Sequence, residues 1–334
     1  MNESQSLGAT LQDPAWEARY ERIAFVVLVV AFAAMPFVIY PRFGMQLLCF
    51  ALFACAFNLL IGFGGLLSFG HAMFFGMGSY LAAHAAKVWG LPVEVAIVAG
   101  AATSMLLGGL TGLLAIRRQG IYFAMITLAL AQMLYFFCLQ VPFTGGEDGI
   151  QSVPLSKLLG VVDLNAPLFH VGDQAIPVLY YFVLAIFLAG FGLIHRIVHS
   201  PFGQVLKAIR ENEPRAISLG YRTEHYKLAA FVLSATLAGL AGATKAMVAQ
   251  NASLTDVHWS MSGEVVLMTL LGGMGTVFGP IVGAVVIVSM QFYLAELGSW
   301  VTITQGMIFV VCVLAFRRGI LGEMEAWLRR RRSR

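Results

Sequence analysis

Apolar runs long enough to cross a lipid bilayer as helices recur along this chain and are separated by short polar connections. A helix needs about 20 apolar residues to cross the hydrocarbon core, because each residue advances the helix by about 1.5 Å. Only 11% of the 334 residues are charged, whereas soluble domains carry about 25%. A water-exposed surface cannot be built from this composition, so the sequence predicts an all-α polytopic membrane protein. A soluble enzyme and a protein with a large extramembrane domain are excluded.

Ten apolar segments are predicted to be transmembrane. They cover residues 23–40, 44–61, 72–86, 93–116, 121–141, 177–199, 226–249, 261–272, 281–297 and 300–317. Two of them, 72–86 and 261–272, are short for a full crossing and adjoin glycine-rich sequence, so either can be a broken or re-entrant helix. The first 22 residues mix acidic and basic side chains, unlike the basic start of a secretory signal, which indicates an uncleaved first span.

The basic residues predict the orientation of the chain. If the N-terminus is cytoplasmic and all ten segments cross, four of the 21 basic residues lie outside or near the outer end, which leaves 17 inside. The four outer residues are Arg42, Lys87, Lys157 and Lys245. Because basic residues concentrate on the cytoplasmic side, both termini are predicted to be cytoplasmic. The predicted organisation is a cytoplasmic N-terminal segment 1–22, a transmembrane domain 23–318 and a basic cytoplasmic tail 319–334.

An outer loop at 142–176 is rich in acidic residues, proline and glycine, and is predicted to be ordered with little regular structure. Further acids lie close to the outer boundary, where Lys245 can extend its ammonium group toward water. These boundary acids are Glu94, Asp256, Glu264 and Glu296. We expect no buried ion pair and no proton relay among them.

The inner loop at 200–225 is predicted to form two short amphipathic helices. Ser200 and Pro201 are typical of a helix start, Pro214 separates the two helices, and Gly220 ends the second. From the spacing alone, a helix lying on lipid headgroups and a docking segment for a partner remain equally open. The mixture of basic and acidic residues favours a protein partner, since lipid-bound helices are dominated by Lys and Arg.

Two glycine-rich stretches, 62–78 and 272–283, suggest an internal repeat. Each contains a glycine pair followed five or six residues later by Phe-Gly, and on the predicted topology both run in the same sense. Glycine at this density allows either close helix packing or unwound backbone that lines a polar path. Packing is the simpler explanation for most of these glycines.

His71 is the best candidate for a path-lining residue, because it is ionisable, predicted to lie in the membrane and beside Ser68 and Gly70. A hydrogen-bonded packing histidine remains the alternative. Asn58 and Thr127 are weaker candidates. The motif TGGEDGI at 144–150 is either a tight turn or a gate that contacts a binding protein. The candidate path residues are Asn58, Gly64, Gly65, Ser68, Gly70, His71, Thr144, Gly145, Gly146, Gly272, Gly273 and Gly275.

The sequence shows no catalytic constellation. It lacks the phosphate-binding pattern GxxxxGK[ST], so another chain must hydrolyse ATP if ATP drives transport. His195 and His199 have the spacing of metal ligands but no third ligand nearby in the sequence. Cysteines lie in apolar runs and imply no disulfides. No catalytic residue, metal or cofactor bound by this chain is predicted.

Four motifs in order resemble the permeases of branched-chain amino acid ABC transporters, of the LivM type. They are FNLLIGFGGLLSFGHAMFFGMGSYLAA (57–83), TGGEDGI (144–150), GQVLKAIRENEPRAISLGYRTEHYKLAAFVLSATLAGLAGA (203–243) and LLGGMGTVFGPIVGA (270–284). The resemblance covers nearly all of residues 44–318. Glu147 stands where that family often has a neutral residue, and neither the first 22 residues nor the arginine tail matches anything diagnostic.

The resemblance implies a bacterial inner-membrane importer subunit for leucine, isoleucine or valine. It implies a second permease of the LivH type, two ATPase subunits that bind ATP and Mg²⁺, and an extracytoplasmic binding protein. The loop at 200–225 is then the ATPase-coupling loop, with contact residues Gly203, Lys207, Ala208, Arg210, Glu211, Asn212, Glu213, Ala216, Leu219 and Gly220. Similar permeases carry urea, short amides or other amino acids. A secondary transporter or channel driven by an ion gradient is the alternative of another class.

Overall fold

The computed structural model describes residues 14–157, 162–164, 166–171, 174–294, 298, 300–315 and 319–323. Within these ranges the chain is mainly helical, as predicted. The α-helices are α1 (Pro14–Ala34), α2 (Pro41–Asn58), α3 (His71–Lys87), α4 (Val93–Ala115), α5 (Ile121–Gln140), α6 (Val178–His199), α7 (Pro201–Glu211), α8 (Glu213–Ser218), α9 (Thr223–Ala249), α10 (Trp259–Gly272), α11 (Gly279–Tyr293) and α12 (Trp300–Ala315).

Each of the ten predicted segments coincides with one apolar helix. In the described chain, five helices are long and apolar enough to cross a membrane: α2 with its continuation, α4, α5, α6 and α9. The helices α3, α10, α11 and α12 are apolar but shorter, with 17, 14, 15 and 16 residues. Helix α1 begins at Pro14, so the predicted N-terminal segment 1–22 is helical from that residue onward.

Helix α2 lies at the centre of the bundle. It continues beyond Asn58 as a π-helical turn, Leu59–Phe63, and the side chains of both parts are almost entirely buried. Helices α6, α9, α10 and α11 pack around it. Apolar side chains surround α2 on all sides, as expected for a helix that is hydrophobic all round.

Helices α3, α4 and α9 form a second tightly packed group in which small residues allow the backbones to meet. A Cβ atom on Gly78 would collide with the backbone of Gly239, and one on Gly242 would collide with the carbonyl of Phe75. The hydroxyl of Ser104 donates to the Phe74 carbonyl at 2.8 Å. For Gly78, which belongs to the first glycine-rich stretch, the packing interpretation is therefore correct.

We name the two ends of the bundle by their contents. The α7 end carries α7, α8 and the two glycine-rich connections, and the opposite end carries the strands. Helix α3 runs from the first glycine-rich connection to Lys87, whose ammonium donates to the carbonyl of Gln151 at the opposite end, at 2.7 Å. Helix α10 runs the other way and ends at Gly272. Each short segment is therefore one continuous helix, and the predicted glycine-rich break adjoins it. The breaks lie in the adjoining connections.

The outer loop contains more regular structure than predicted. Strand β1 (Ile150–Gln151) pairs antiparallel with β4 (Asn251–Ala252), while β2 (Pro167–Val171) and β3 (Gln174–Pro177) form a hairpin. The expectation of little regular structure in 142–176 was thus wrong. Extended segments satisfy the backbone polar groups of this loop, a requirement that its composition does not reveal. The tail arginines at 329–332 and 334 lie outside the described residues.

Candidate functional site

The segment after α6 folds as two capped helices, which confirms the prediction. The Ser200 hydroxyl accepts a hydrogen bond from the amide of Gly203 at 3.3 Å and caps α7. The Asn212 side-chain oxygen accepts from the amide of Arg215 at 3.1 Å and caps α8. Gly220 then takes a left-handed conformation, with φ of +87°, and ends the motif.

One side of this segment packs on the bundle and the other faces outward. Gly203, Leu206, Ile209 and Ala216 are buried, so these positions support the segment from inside. The outward side, which we call the docking surface, combines small, polar and apolar residues. The docking surface consists of Ala208, Glu211, Asn212, Arg215, Ile217, Leu219 and Gly220, all of them exposed.

Glu213 belongs to the inner side of the segment. Its carboxylate pairs with the ammonium of Lys227 at 2.5 Å, and it accepts a hydrogen bond from the side chain of Gln119 at 3.2 Å. These contacts join α8 to the start of α9 and to the α4–α5 connection. Glu213, one of the predicted coupling residues, therefore attaches the segment to the bundle.

The two glycine-rich stretches form connections that lie side by side at the α7 end. The first glycine loop, residues 62–70, joins α2 to α3, and the second glycine loop, residues 272–278, joins α10 to α11. Gly65 and Gly275 both have left-handed backbone, with φ of +70° and +77°. Helix α3 begins directly after the Phe-Gly of the first loop, and α11 begins at the glycine of the second Phe-Gly. The structure thus agrees with the proposed repeat and with the prediction that its two copies run in the same direction.

Asn58 connects the two glycine loops. Its side-chain nitrogen donates to the carbonyl of Thr276 at 2.8 Å, and its side-chain oxygen accepts from the amide of Gly275 at 3.0 Å. A Cβ atom on Gly62 would collide with this carboxamide. Asn58 therefore holds the second loop through its backbone, and this contact explains why residue 62 must be small.

Helix α7 packs directly on the first glycine loop. The guanidinium of Arg210 donates to the carbonyl of Gly62. The ammonium of Lys207 lies 5.5 Å from the centre of the Phe63 ring, within the range of a cation–π contact. Leu206 would lie within van der Waals distance of a Cβ atom at Gly64. Helix α7 is thus attached to the loop at three successive contacts.

His71 is enclosed at the start of α3. Its Nε2 atom is 2.8 Å from the hydroxyl of Ser234, which in turn donates to the carbonyl of Ala56 at 2.5 Å. The rings of Phe57, Phe74 and Phe231 meet the imidazole edge-on. The fully buried side chain thus makes packing contacts between α2, α3 and α9. Contact between His71 and a substrate stays a prediction.

The remaining residues of the first glycine loop bond locally and to α5. The Ser68 hydroxyl accepts from the amide of Gly70 at 3.2 Å, and the Thr127 hydroxyl accepts from the amide of Phe69 at 3.2 Å. Beside this contact lies an apolar cavity of about 460 Å³ between the loop and the start of α5. Its walls include Leu66, Phe123 and Leu128.

The TGGEDGI motif forms a tight turn after α5. The Thr144 hydroxyl is buried and donates to the carbonyls of Cys138 and Val141, at 2.5 and 2.8 Å. Gly145 and Gly146 both have positive φ, at +81° and +60°, as such turns require. The turn is therefore present. A gating or binding-protein role for the same residues stays a prediction.

The expectation that the boundary acids form no buried ion pair was wrong. The ammonium of Lys245 contacts both carboxylate oxygens of Asp256, at 2.9 and 2.8 Å, and the Asp256 side chain is only 2% exposed. Ser79 of α3 donates to the same carboxylate at 3.3 Å. Pairing and hydrogen bonding compensate the desolvation of both charges. The two residues lie eleven positions apart, on a helix and on a 3₁₀ turn, so no helical spacing signals the pair.

The two histidines with metal-ligand spacing lie one turn apart on α6, and they contact each other within that helix. The Nδ1 atom of His199 lies 2.8 Å from the carbonyl of His195. In the part of the chain that the structure describes, no three His, Cys, Asp or Glu residues form a group that could hold a metal ion.

Comparison with known proteins gives a consistent result. The family described as branched-chain amino acid transport system / permease component matches residues 39–316. The high-affinity branched-chain amino acid transport system permease proteins LivM of Salmonella typhimurium and Escherichia coli are each 26% identical over 319 residues, which is 90% of this chain and 75% of theirs. The autoinducer 2 import system permease protein LsrC of Salmonella typhi is 34% identical over 147 residues, or 42% of this chain and 39% of that protein. No solved structure matches the chain significantly.

Proposed function

Because this chain belongs to the family of permease components of branched-chain amino acid transport systems, we propose that it forms the membrane path of an ABC importer. The cargo is a branched-chain amino acid, namely leucine, isoleucine or valine. ATP is hydrolysed on separate subunits, and the permease converts that hydrolysis into inward movement of the substrate. The observation that carries the proposal is the family match over residues 39–316, which includes both glycine loops, α7 and α8.

The docking surface is the proposed contact with an ATPase subunit. It projects from the bundle on two capped helices, and it carries both signs of charge, in Glu211 and Arg215, beside the exposed apolar side chains of Ile217 and Leu219. A surface with these properties suits a protein partner better than lipid headgroups, which favour a uniformly basic face. On this assignment the α7 end is cytoplasmic and both termini lie on that side.

The complete importer requires further subunits. We propose a second, related permease of the LivH type, two ATPase subunits that bind ATP and Mg²⁺, and an extracytoplasmic protein that delivers the substrate. The opposite end, with β1–β4 and the TGGEDGI turn, faces that binding protein. This chain contributes no nucleotide-binding motif of the form GxxxxGK[ST] and acts as a transport subunit without chemistry of its own.

An importer driven by an ion gradient is less well supported. Such a transporter uses buried carboxylates that are open to H⁺ or Na⁺. Asp256 is buried, but its charge is already matched by Lys245 and hydrogen-bonded by Ser79. The pair therefore has the properties of a structural contact.

The substrate is the least constrained part of the proposal. Relatives named as autoinducer 2 import permeases match part of the chain, so related sequences carry different cargo. Urea, short amides and other amino acids are the alternative substrates. Because a separate binding protein selects what reaches the permease, the cargo need not be encoded in the residues of this chain.

Uptake of labelled leucine tests the proposal. The chain is reconstituted in proteoliposomes with candidate permease, ATPase and binding-protein subunits from the same genome, with ATP supplied or withheld and ion gradients collapsed. We expect uptake that requires ATP and the binding protein and persists without a gradient. ATP-dependent uptake of urea or an amide instead of leucine would change the cargo. Uptake of leucine by this chain alone, driven by an ion gradient, would reject the proposal of an ABC importer.

A further inference from the structure

We propose that Arg210 is a positioning residue that ties the docking helix α7 to both glycine loops and so transmits movement of α7 to the starts of α3 and α11. This inference rests on the proposed function, since it assigns a role within ATPase coupling. It separates Arg210 from the docking surface, although Arg210 is also exposed and belongs to the same short segment, because its side chain bonds to the first glycine loop.

Arg210 lies in the last turn of α7 and its side chain runs along the first glycine loop. The guanidinium donates to the carbonyl of Gly62, in the π-helical turn that ends α2. The Cγ atom of Arg210 lies 2.9 Å from the position that a Cβ atom on Gly65 would occupy. The absence of a side chain at residue 65 therefore makes room for the arginine.

The same guanidinium reaches the second glycine loop. Its Nη1 atom lies 3.1 Å from the Cβ position of Gly275, and the Gly62 carbonyl oxygen lies 3.2 Å from that position. Gly275 is the residue whose amide donates to Asn58. Arg210 and Asn58 thus meet the two loops at one place. Arg210 bonds to the first loop and lies beside Gly275 of the second, and Asn58 bonds to the backbone of the second.

This arrangement explains how a push on α7 can move two distant helices. The first loop leads into α3 at His71, and the second leads into α11 at Gly279. Both loops contain glycines with left-handed backbone, which can change conformation at low cost. A charged donor makes a stronger hydrogen bond to a carbonyl than a neutral one, so the link can carry a displacement without breaking.

The chemistry of the side chain favours arginine at this position. The guanidinium is planar and presents several donors in a fixed arrangement, whereas lysine carries one compact ammonium group. A lysine can replace the bond to Gly62 but cannot occupy the space beside Gly275 in the same way. We therefore expect the two residues to differ in function although both keep the charge.

The ratio of ATP hydrolysed to leucine imported tests the inference. Arg210→Gln, Arg210→Lys and the control Arg118→Gln are reconstituted with all partner subunits. Arg118 is exposed within the α4–α5 connection and lies outside the docking surface. For Arg210→Gln we expect leucine uptake to fall about tenfold while ATP hydrolysis stays close to wild type, so the ratio rises about tenfold. Recovery of the ATPase subunit on the tagged permease should stay within about twofold of wild type. Arg210→Lys should raise the ratio by about threefold. The control should leave it unchanged.

Two outcomes would overturn the inference. An unchanged ratio in Arg210→Gln would show that Arg210 supports only the fold, because a structural defect lowers uptake and hydrolysis together. If the amount of ATPase subunit recovered with the tagged permease falls as strongly as leucine uptake, Arg210 belongs to the docking contact itself. If Arg210→Gln does not fold, a wild-type ratio in Arg210→Lys overturns the inference instead. Failure of the wild-type complex to import leucine with ATP would reject the proposed function, which is a separate result.

Discussion

The two ends of the bundle are joined by different kinds of contact. At the opposite end, the carboxylate of Asp256 is held by Lys245 and Ser79, and β1 pairs with β4. At the α7 end, the Glu213–Lys227 pair fixes α8, but the glycine loops themselves are held through their backbone by the side chains of Asn58 and Arg210. Charge pairs and strand ladders have one favourable geometry, whereas glycine backbone has several. We therefore expect the contacts of the opposite end to contribute mainly stability, and the glycine loops of the α7 end to be the part that can change conformation.

Removing the buried carboxylate should have the largest effect on stability. Asp256→Asn leaves the ammonium of Lys245 buried without its counter-charge, and we expect the free energy of unfolding to fall by about 3–5 kcal/mol. Unfolding of the purified protein in mixed micelles measures this change. Asp148→Asn, at an exposed acid of the same end, should change it by less than about 0.5 kcal/mol. Equal effects of the two substitutions would show that the Lys245–Asp256 pair does not stabilise the opposite end.

Adding one methyl group at the end of α10 should have the next largest effect. A Cβ atom on Gly272 would collide with the carbonyl of Gly279, and backbone atoms cannot move aside as a flexible side chain can. We expect Gly272→Ala to lower the free energy of unfolding by about 1–3 kcal/mol. Gly263→Ala lies on the same helix, where a Cβ atom meets nothing within 4 Å, and should be neutral or slightly stabilising. A tolerant Gly272 would mean that the second glycine loop can shift without cost.

Removing the carboxamide of Asn58 should have a smaller effect on stability. Asn58→Ala leaves the amide of Gly275 and the carbonyl of Thr276 without this partner, at a cost of about 1.5 kcal/mol. We also expect ATP-dependent leucine uptake to fall, since the two loops no longer move together. Asn251→Ala, at the opposite end, should cost less than about 0.5 kcal/mol, because the Asn251 side-chain oxygen is buried without a hydrogen bond. Unfolding and uptake assays on both variants separate these effects.

Reversing one charge on the docking surface should barely affect stability. Glu211 is exposed, so Glu211→Lys should change the free energy of unfolding by less than about 0.5 kcal/mol. Recovery of the ATPase subunit with the tagged permease should nonetheless fall by about tenfold, because the repulsion acts at the contact. Glu147→Lys makes the same change at the opposite end and should leave recovery unaltered. Normal ATPase recovery and uptake with Glu211→Lys would remove the docking surface from the proposed function.

Much of the fold could be predicted from sequence because hydrophobicity along a segment is a local property. The apolar runs gave all ten helices, and the prolines and glycines of 200–225 gave α7 and α8. The β2–β3 hairpin was missed because its residues show no clear alternation of polar and apolar side chains. The segments 72–86 and 261–272 were left ambiguous, since helix length alone does not show where the neighbouring loops begin.

The candidate site was predicted less completely, because its contacts depend on tertiary packing. The residues of both glycine loops were identified, but the links through Asn58 and Arg210 join residues 217 and 148 positions apart. His71 was selected for its neighbours Ser68 and Gly70, whereas its side chain packs against Ser234 and aromatic rings instead. The Lys245–Asp256 pair depends on how a 3₁₀ turn folds back on α9, which no periodic pattern records.

The central position of α2 has a consequence for how the protein is made. This helix leaves the ribosome before α6, α9, α10 and α11, the helices that later surround it. After insertion it must therefore reside in lipid with every face exposed until translation supplies its neighbours. From Phe43 to Phe63 its side chains are apolar apart from Gln46, Asn58 and two cysteines, so this waiting state costs little. The most buried helix of the finished protein thus has the composition of a helix that lipid surrounds, because lipid is its first environment.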